Sequence, residues 1–348
     1  MKKNPLSFQP RLNPEDFVLA SKEEKEGLNI MRPSVGFWKD GFQRLKKNKV
    51  AMVCLIIVVI VFIFAFIVPA VYPYNYSQQI MGSENLAPMK YSAQELADKA
   101  AGKSVFPHFL GTDSLGRDYA IRVMMGSRIS LLVGLVASFI VLVIGAIYGS
   151  VAGYFGGKID MIMMRIVDII YTIPDILLIV LLTFALKSPL AHLAEKPGFA
   201  WVGTLGTNLI SIFIVFALLY WVGMARIVRG QILQLKEQEY VTAAKALGAK
   251  SGYIIRRHLL TNMIGTLIVT TTLQIPSAIF TESFLSFLGI GVAIPMPSLG
   301  SLASEAISAI QIYPYLLFAP ALLISIIILA FNLLGDGLRD AFDPQLKN

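Results

Sequence analysis

A chain of 348 residues could hold two or three soluble domains, but 55% hydrophobic residues against 15% charged ones exclude that arrangement and indicate a polytopic membrane protein. The net charge of +8 does not require a nucleic-acid partner, because the basic residues border apolar runs, where membrane topology alone accounts for them. Cys54 is the only cysteine, so no intrachain disulfide can form, and its place inside an apolar run suits packing.

Residues 1–49 are polar and turn-rich and carry eleven Lys/Arg against six Asp/Glu, as expected of a cytoplasmic arm. So long a lead before the first apolar run does not fit a cleavable signal peptide, and that run is expected to remain as an anchor. Gly36 to Lys49 either forms an amphipathic helix on the inner leaflet, with Phe37, Trp38, Phe42 and Leu45 towards lipid, or stays a flexible basic flank. Val50 to Val71 is uncharged, and about 22 residues at 1.5 Å each cross a hydrocarbon core of roughly 30 Å. Residues 72–128 are polar again and are expected outside. Near their end Gly111 and Gly116 permit turns, Asp113 can cap a short helix, and Arg128 marks the membrane interface.

Ile129 to Phe155 reads as the second span. Gly145, Gly149 and Gly153 recur in it every four residues, a ridge that lets two helices pack backbone to backbone and predicts a central position in a bundle. The third predicted span, Ile166 to Leu186, carries Asp168 and Asp175 with Pro174 between them. Charged groups in a bilayer must face protein or water, so Asp175 either lines a pathway or ties helices together. Arg165 and Asp168, three residues apart, can form a structural pair, and Pro174 is expected to kink the helix. Residues 187–207 read as an outer loop, and Asn208 to Ala225 as a fourth span ended by Arg226 and Arg229.

Lys236 to Asn262 is a basic segment between two apolar runs, yet from Glu239 to Ile255 it lacks proline and is rich in helix formers. Ala244 and Gly248 would then lie one turn apart below Glu239 and Ala243. That small-residue face admits another backbone, with Tyr253, Ile254 and Leu259 as apolar anchors for docking in a groove. The alternative is an interfacial helix with a solvated basic face. Ile264 to about Ile294 is a fifth apolar stretch, expected to break at Pro276. Its Glu282 either touches substrate or ties helices together. Residues 295–313 return outside, and Tyr313 to Leu334 forms the last span, with Tyr313 and Tyr315 as interfacial anchors. Of the 30 Lys/Arg, 22 fall on the predicted inner side and 8 on the outer, which places both termini in the cytoplasm.

Glu239, Ala243, Ala244 and Gly248, followed by Arg257, His258, Leu259, Leu260 and Asn262, resemble the EAA loop of ABC-importer permeases, in the variant of dipeptide and oligopeptide systems. Three further stretches resemble the same family in the same order. His108 to Leu131, with Asp113, Gly116, Arg117 and Asp118, is similar to the signature before the second span of the C-type subunit. Glu282 to Gly291 is similar to an E-x-x-L-S-F-L-G-x-G element, and the tail from Leu334 to an L-G-D-G-L-R-D-x-x-D-P ending. Gly156, Gly157, Asp160, Arg165 and Asp168 also fit.

The resemblance implies an all-α polytopic fold of the type I ABC-importer permease class in a bacterial inner membrane, with about six transmembrane helices. Its parts would be an N-terminal arm at 1–49, a first span at 50–71, an external segment at 72–128, a permease core at 129–338 with a coupling loop at 236–262, and a cytoplasmic tail at 339–348. It implies a subunit that binds no cofactor and forms half of a peptide pathway within membrane lipid. A second, B-type permease would complete the pathway, two ATPase subunits would bind ATP and Mg, and a substrate-binding protein would dock outside. Glu239, Ala243, Ala244, Gly248 and Tyr253 would belong to a coupling helix seated in a cleft of the ATPase. Asp113, Gly116, Arg117 and Asp118 would either meet the binding protein or build a rigid turn. Nickel or another small solute, carried by some relatives, remains an alternative cargo. The family usually has proline where this chain has Thr261, which should soften the break between the loop and the next span.

The sequence itself supplies no motor. GYFGGKI and ALGAKSG come nearest to a phosphate-binding loop, but the first lacks the leading Gly and the Ser/Thr, and the second lacks the Gly before Lys250. Neither an HExxH nor a GxSxG motif is present, and the three histidines are dispersed, so catalysis is not supported. A self-sufficient secondary transporter would show an internal repeat and a relay of intramembrane charges. No repeat is visible, and only Asp168, Asp175 and Glu282 could serve.

Overall fold

The computed structural model describes residues 36–292 and 296–342, so the expectations for 1–35, Pro295 and 343–348 lie outside the described residues. Among the described residues the regular structure is helical, and six helices are long and apolar enough to cross a membrane. They are α2 (Lys49–Val71), α4 (Tyr119–Phe155), α6 (Asp175–Ala194), the fourth span Thr207–Leu235 built from α8 (Thr207–Leu219) and α9 (Trp221–Leu235), α12 (Ile264–Phe287) and α14 (Tyr315–Phe342). Shorter helices are α1 (Phe37–Lys47), α3 (Ala93–Ala100), α5 (Gly157–Thr172), α7 (Ala200–Leu205), α10 (Glu239–Ala246), α11 (251–262) and α13 (Leu299–Ile307).

α4 is the central post, as its glycines predicted. A β-carbon at Gly145 would lie 2.5 Å from Met224, one at Gly149 2.4 Å from the Ala225 carbonyl, and one at Gly153 2.9 Å from Ile232. α9 therefore touches α4 backbone to backbone along three turns, gaining dispersion contact where lipid offers no hydrophobic drive. Gly134 makes the same allowance for Ile279 on α12. On the other side α14 meets α2 through Gly337 against Ala51, and Cys54 packs in the core those helices share.

Several element boundaries differ from expectation. α4 starts ten residues earlier than Ile129, because Asp118 caps it by accepting from the Ile121 amide at 3.0 Å and because Arg122 is neutralised by carboxylates. The third span, expected from Ile166 with a kink at Pro174, instead begins after that proline: α5 ends at Thr172, Ile173, the residue before proline, is extended, and α6 starts afresh at Asp175. Part of the supposed outer loop at 187–207 is helical, as are residues 299–307. Pro276, expected to break α12, sits buried inside it. In a membrane-embedded helix packed by neighbours, one lost backbone hydrogen bond is tolerated. Of the two alternatives for Gly36 to Lys49, α1 is the amphipathic helix, but Leu45 faces Ala51 and Ala341 rather than lipid, and the rings of Phe37 and Trp38 pack against Phe342 with centroids 5.3 and 5.9 Å away. Phe42 stays exposed.

Candidate functional site

Two regions carry the residues singled out by the sequence. The first is the segment between the fourth and fifth spans. α10 begins after Gln238, whose extended backbone starts the turn, and Glu239 places a negative charge in the first turn, where the helix dipole favours it. The helix does not run on to Ile255. It ends in a Schellman motif, with the Gly248 amide donating to the Lys245 carbonyl at 2.9 Å and the Ala249 amide to the Ala244 carbonyl at 3.0 Å. Gly248 adopts φ +81°, the left-handed conformation that this ending needs. Gly248 therefore stops the helix instead of extending a small-residue face, and Ala244 packs inward beside Ala249.

α11 resumes at Ser251 with a wider π turn over Ile254–Leu259 and passes through Thr261 almost directly into α12, the soft junction expected without proline. Ile254 and Leu259, read as docking anchors, are fully buried with Val241 and Met263 in the chain's own core. They hold the loop in place. What remains outward is Glu239, Tyr240, Ala243, Leu247, Gly248 and Tyr253, with Leu247 88% exposed. Lys236 fastens this platform to α4 by donating to the Gly153 carbonyl at 3.1 Å.

α5 is held against α9 by two ion pairs that join residues far apart in sequence. Arg229 grips Asp160 with two bonds at 2.5 and 2.6 Å, and Arg226 meets Asp168 at 2.8 Å while lying over the Tyr171 ring. The expected Arg165–Asp168 pair does not form, because Asp168 turns to Arg226 on the neighbouring helix. Asp175 stands at the first turn of α6, exposed beside a cavity of about 460 Å³. Glu282 is wholly buried. Its carboxylate accepts from Ser130 and Ser286, each at 2.7 Å, so it ties α12 to α4.

The second region is the turn before α4, which the sequence predicts to lie outside. Gly111 and Gly116, at φ +75° and +69°, press on the Leu86 and Ile80 carbonyls, where a β-carbon would come within 2.1 and 2.3 Å. Asp113 does not cap a helix. It accepts from the Leu115 and Arg117 amides and pairs with Arg117 at 2.7 Å and Arg122 at 2.6 Å. Glu305 on α13 takes the other side of Arg122 at 2.8 and 3.1 Å. His108 is completely buried between Asp118 at 2.7 Å and Glu95 at 2.9 Å, under the Tyr74 ring. Burial opposes its charging, but the bonds to the two carboxylates outweigh that and raise its pKa. Burial, assisted by Glu95, pushes Tyr74 up to about 12. Glu305, Glu95 and His108 were not singled out as a cluster from the sequence. Glu305 meets Arg122 across 183 residues, beyond the reach of any local pattern.

The family described as binding-protein-dependent transport system inner membrane component matches residues 145–348, and the N-terminal TM domain of oligopeptide transport permease C matches residues 36–88. A dipeptide transport system permease protein of Bacillus subtilis (strain 168) is 43% identical over 334 residues, covering 96% of this chain and 93% of that protein. An oligopeptide transport system permease protein of the same strain is 41% identical over 331 residues, 95% and 97% of the two chains. An oligopeptide transport system permease protein of Escherichia coli (strain K12) is 36% identical over 326 residues, 94% and 95%.

Proposed function

The chain belongs to the family of binding-protein-dependent transport system inner membrane components, and from that premise we propose that it is the permease subunit of an ATP-driven peptide importer. It is a multi-pass membrane protein that forms half of a translocation pathway. A homologous second permease lines the other half, two ATPase subunits sit at the cytoplasmic face, and a binding protein delivers peptide outside. Both termini are cytoplasmic, as the excess of basic residues on that side supports.

One observation carries this reading: α10 and the turn after it present Glu239, Tyr240, Ala243 and Leu247 outward while Val241, Ile254 and Leu259 anchor them to the bundle from beneath. Exposed aromatic and apolar groups on a rigid platform suit a partner's groove better than they suit water. ATP-driven closure of the ATPases would push on this platform. α11 leads into α12, Lys236 links the platform to α4, and the Arg226 and Arg229 pairs link α9 to α5, so the push would rock the pathway-lining helices. In proteoliposomes the chain alone is expected to carry no peptide, with uptake appearing only once the second permease, the ATPases and the binding protein are present. Peptide flux through the chain alone would overturn the proposal.

A further inference from the structure

The break between α5 and α6 faces the junction of α8 and α9, and together they open a cavity lined by Tyr171, Pro174, Asp175, Leu178, Tyr220 and Gly223. The 13 residues of α8 precede Tyr220. At 1.5 Å per residue the cavity lies ~20 Å from the outer end of that span, about two-thirds of the way through a hydrocarbon core of roughly 30 Å. Interrupted helices at this depth expose backbone and charge only where they border a water-filled space or a partner.

Asp175 is the one carboxylate lining this cavity, and it is exposed there. One of its oxygens accepts from the Ile176 amide at 2.9 Å, and among the described residues no cation pairs with it. By contrast Asp160 and Asp168 on the preceding helix both have arginine partners. The second observation is Gly223. It lies inside α9 with nothing within 4 Å of where a β-carbon would stand, so packing within this chain gives no reason for it. A helix-interior glycine is less stable than alanine, and here its effect is to enlarge the cavity.

We propose that this cavity is a cargo site in which the Asp175 carboxylate takes the protonated α-amino group of a peptide in transit, with the Tyr171 and Tyr220 rings flanking it and Gly223 leaving room for the backbone. The inference rests on the peptide-permease reading above. An ammonium crossing the middle of a membrane loses hydration, and an unpaired carboxylate beside aromatic rings replaces part of what it loses.

The test uses the complete importer in proteoliposomes with tri-alanine as cargo. Asp175→Asn is expected to lower the tri-alanine carried per ATP hydrolysed by about tenfold, while loaded binding protein still stimulates hydrolysis. Asp175→Glu should restore most of the uptake. Gly223→Leu, whose β-carbon meets no atom of its own chain, should lower uptake by a similar factor. Uptake by Asp175→Asn equal to wild type would overturn the inference. So would a loss of stimulated hydrolysis that Asp175→Glu does not repair, since that is the mark of a residue needed only to start α6. Failure of the wild-type importer to take up tri-alanine would instead remove the peptide reading, and the inference with it.

Discussion

The turn before α4 and the segment between the fourth and fifth spans treat charge in opposite ways. In the first, Asp113, Arg117, Arg122, Glu305, His108, Glu95 and Asp118 consume one another in ion pairs and hydrogen bonds, most of them buried. In the second, Glu239, Lys250, Arg256 and Arg257 form no ion pair among the described residues, and Leu247 and Tyr253 stand in the open. A surface that satisfies its own polar groups is stiff, whereas one that leaves them unspent is built to meet another molecule. The contrast teaches where to look for stability and where to look for coupling.

The sharpest way to break the contrast is Arg122→Met. It leaves the buried Asp113 with Arg117 alone and takes from Glu305 its nearest cation, and losing one partner of a buried charge network costs about 3–5 kcal/mol. Thermal unfolding in detergent should show a large fall in Tm; an unchanged Tm would mean the outer network is ornamental. Gly248→Val comes next. Placing a β-branched residue at φ +81° costs ~1–2 kcal/mol and spoils the end of α10, so peptide uptake should collapse while the chain stays in the membrane.

His108 gives a third, smaller effect with a defined sign. Because its folded-state pKa is raised, its contribution is fully present below the ordinary value of about 6.5 and is lost as pH rises through the raised value, at ~1.4 kcal/mol per unit of difference. Protection of the α3 amides, measured as exchange relative to the unstructured chain at the same pH, should therefore fall as pH rises through that raised value in wild type and stay constant in His108→Gln. Glu239→Lys should change stability least, by ~0.3–1 kcal/mol through the helix dipole, yet it should abolish coupling of ATP hydrolysis to uptake.

What could be read from the sequence was what local pattern dictates. The four-residue glycine spacing of α4 foretold a backbone-to-backbone contact, though not that α9 would make it, and Gly111 and Gly116 foretold their turns. The helical start of the coupling segment was legible, but its end was not, because a Schellman stop looks like continued helix until Gly248 is seen at positive φ. Two prolines show the limit most clearly. Pro174 is exposed and ends a helix, while Pro276 is buried and continues one, and only the packing around each decides. The pairs Asp168–Arg226 and Arg122–Glu305 join residues 58 and 183 positions apart, so charge spacing within one helix pointed Asp168 at the wrong arginine.

The central claim is that α10 and the turn after it dock on a separate motor at the cytoplasmic face. Leu247→Cys in a Cys54→Ser background places a single thiol at the most exposed point of that turn. In inside-out membrane vesicles holding the whole importer, a short bifunctional maleimide should join it to an ATPase subunit, in a yield that changes when ATP is bound. Labelling of that thiol by an impermeant reagent from the outer face, or no adduct with any ATPase, would contradict the account.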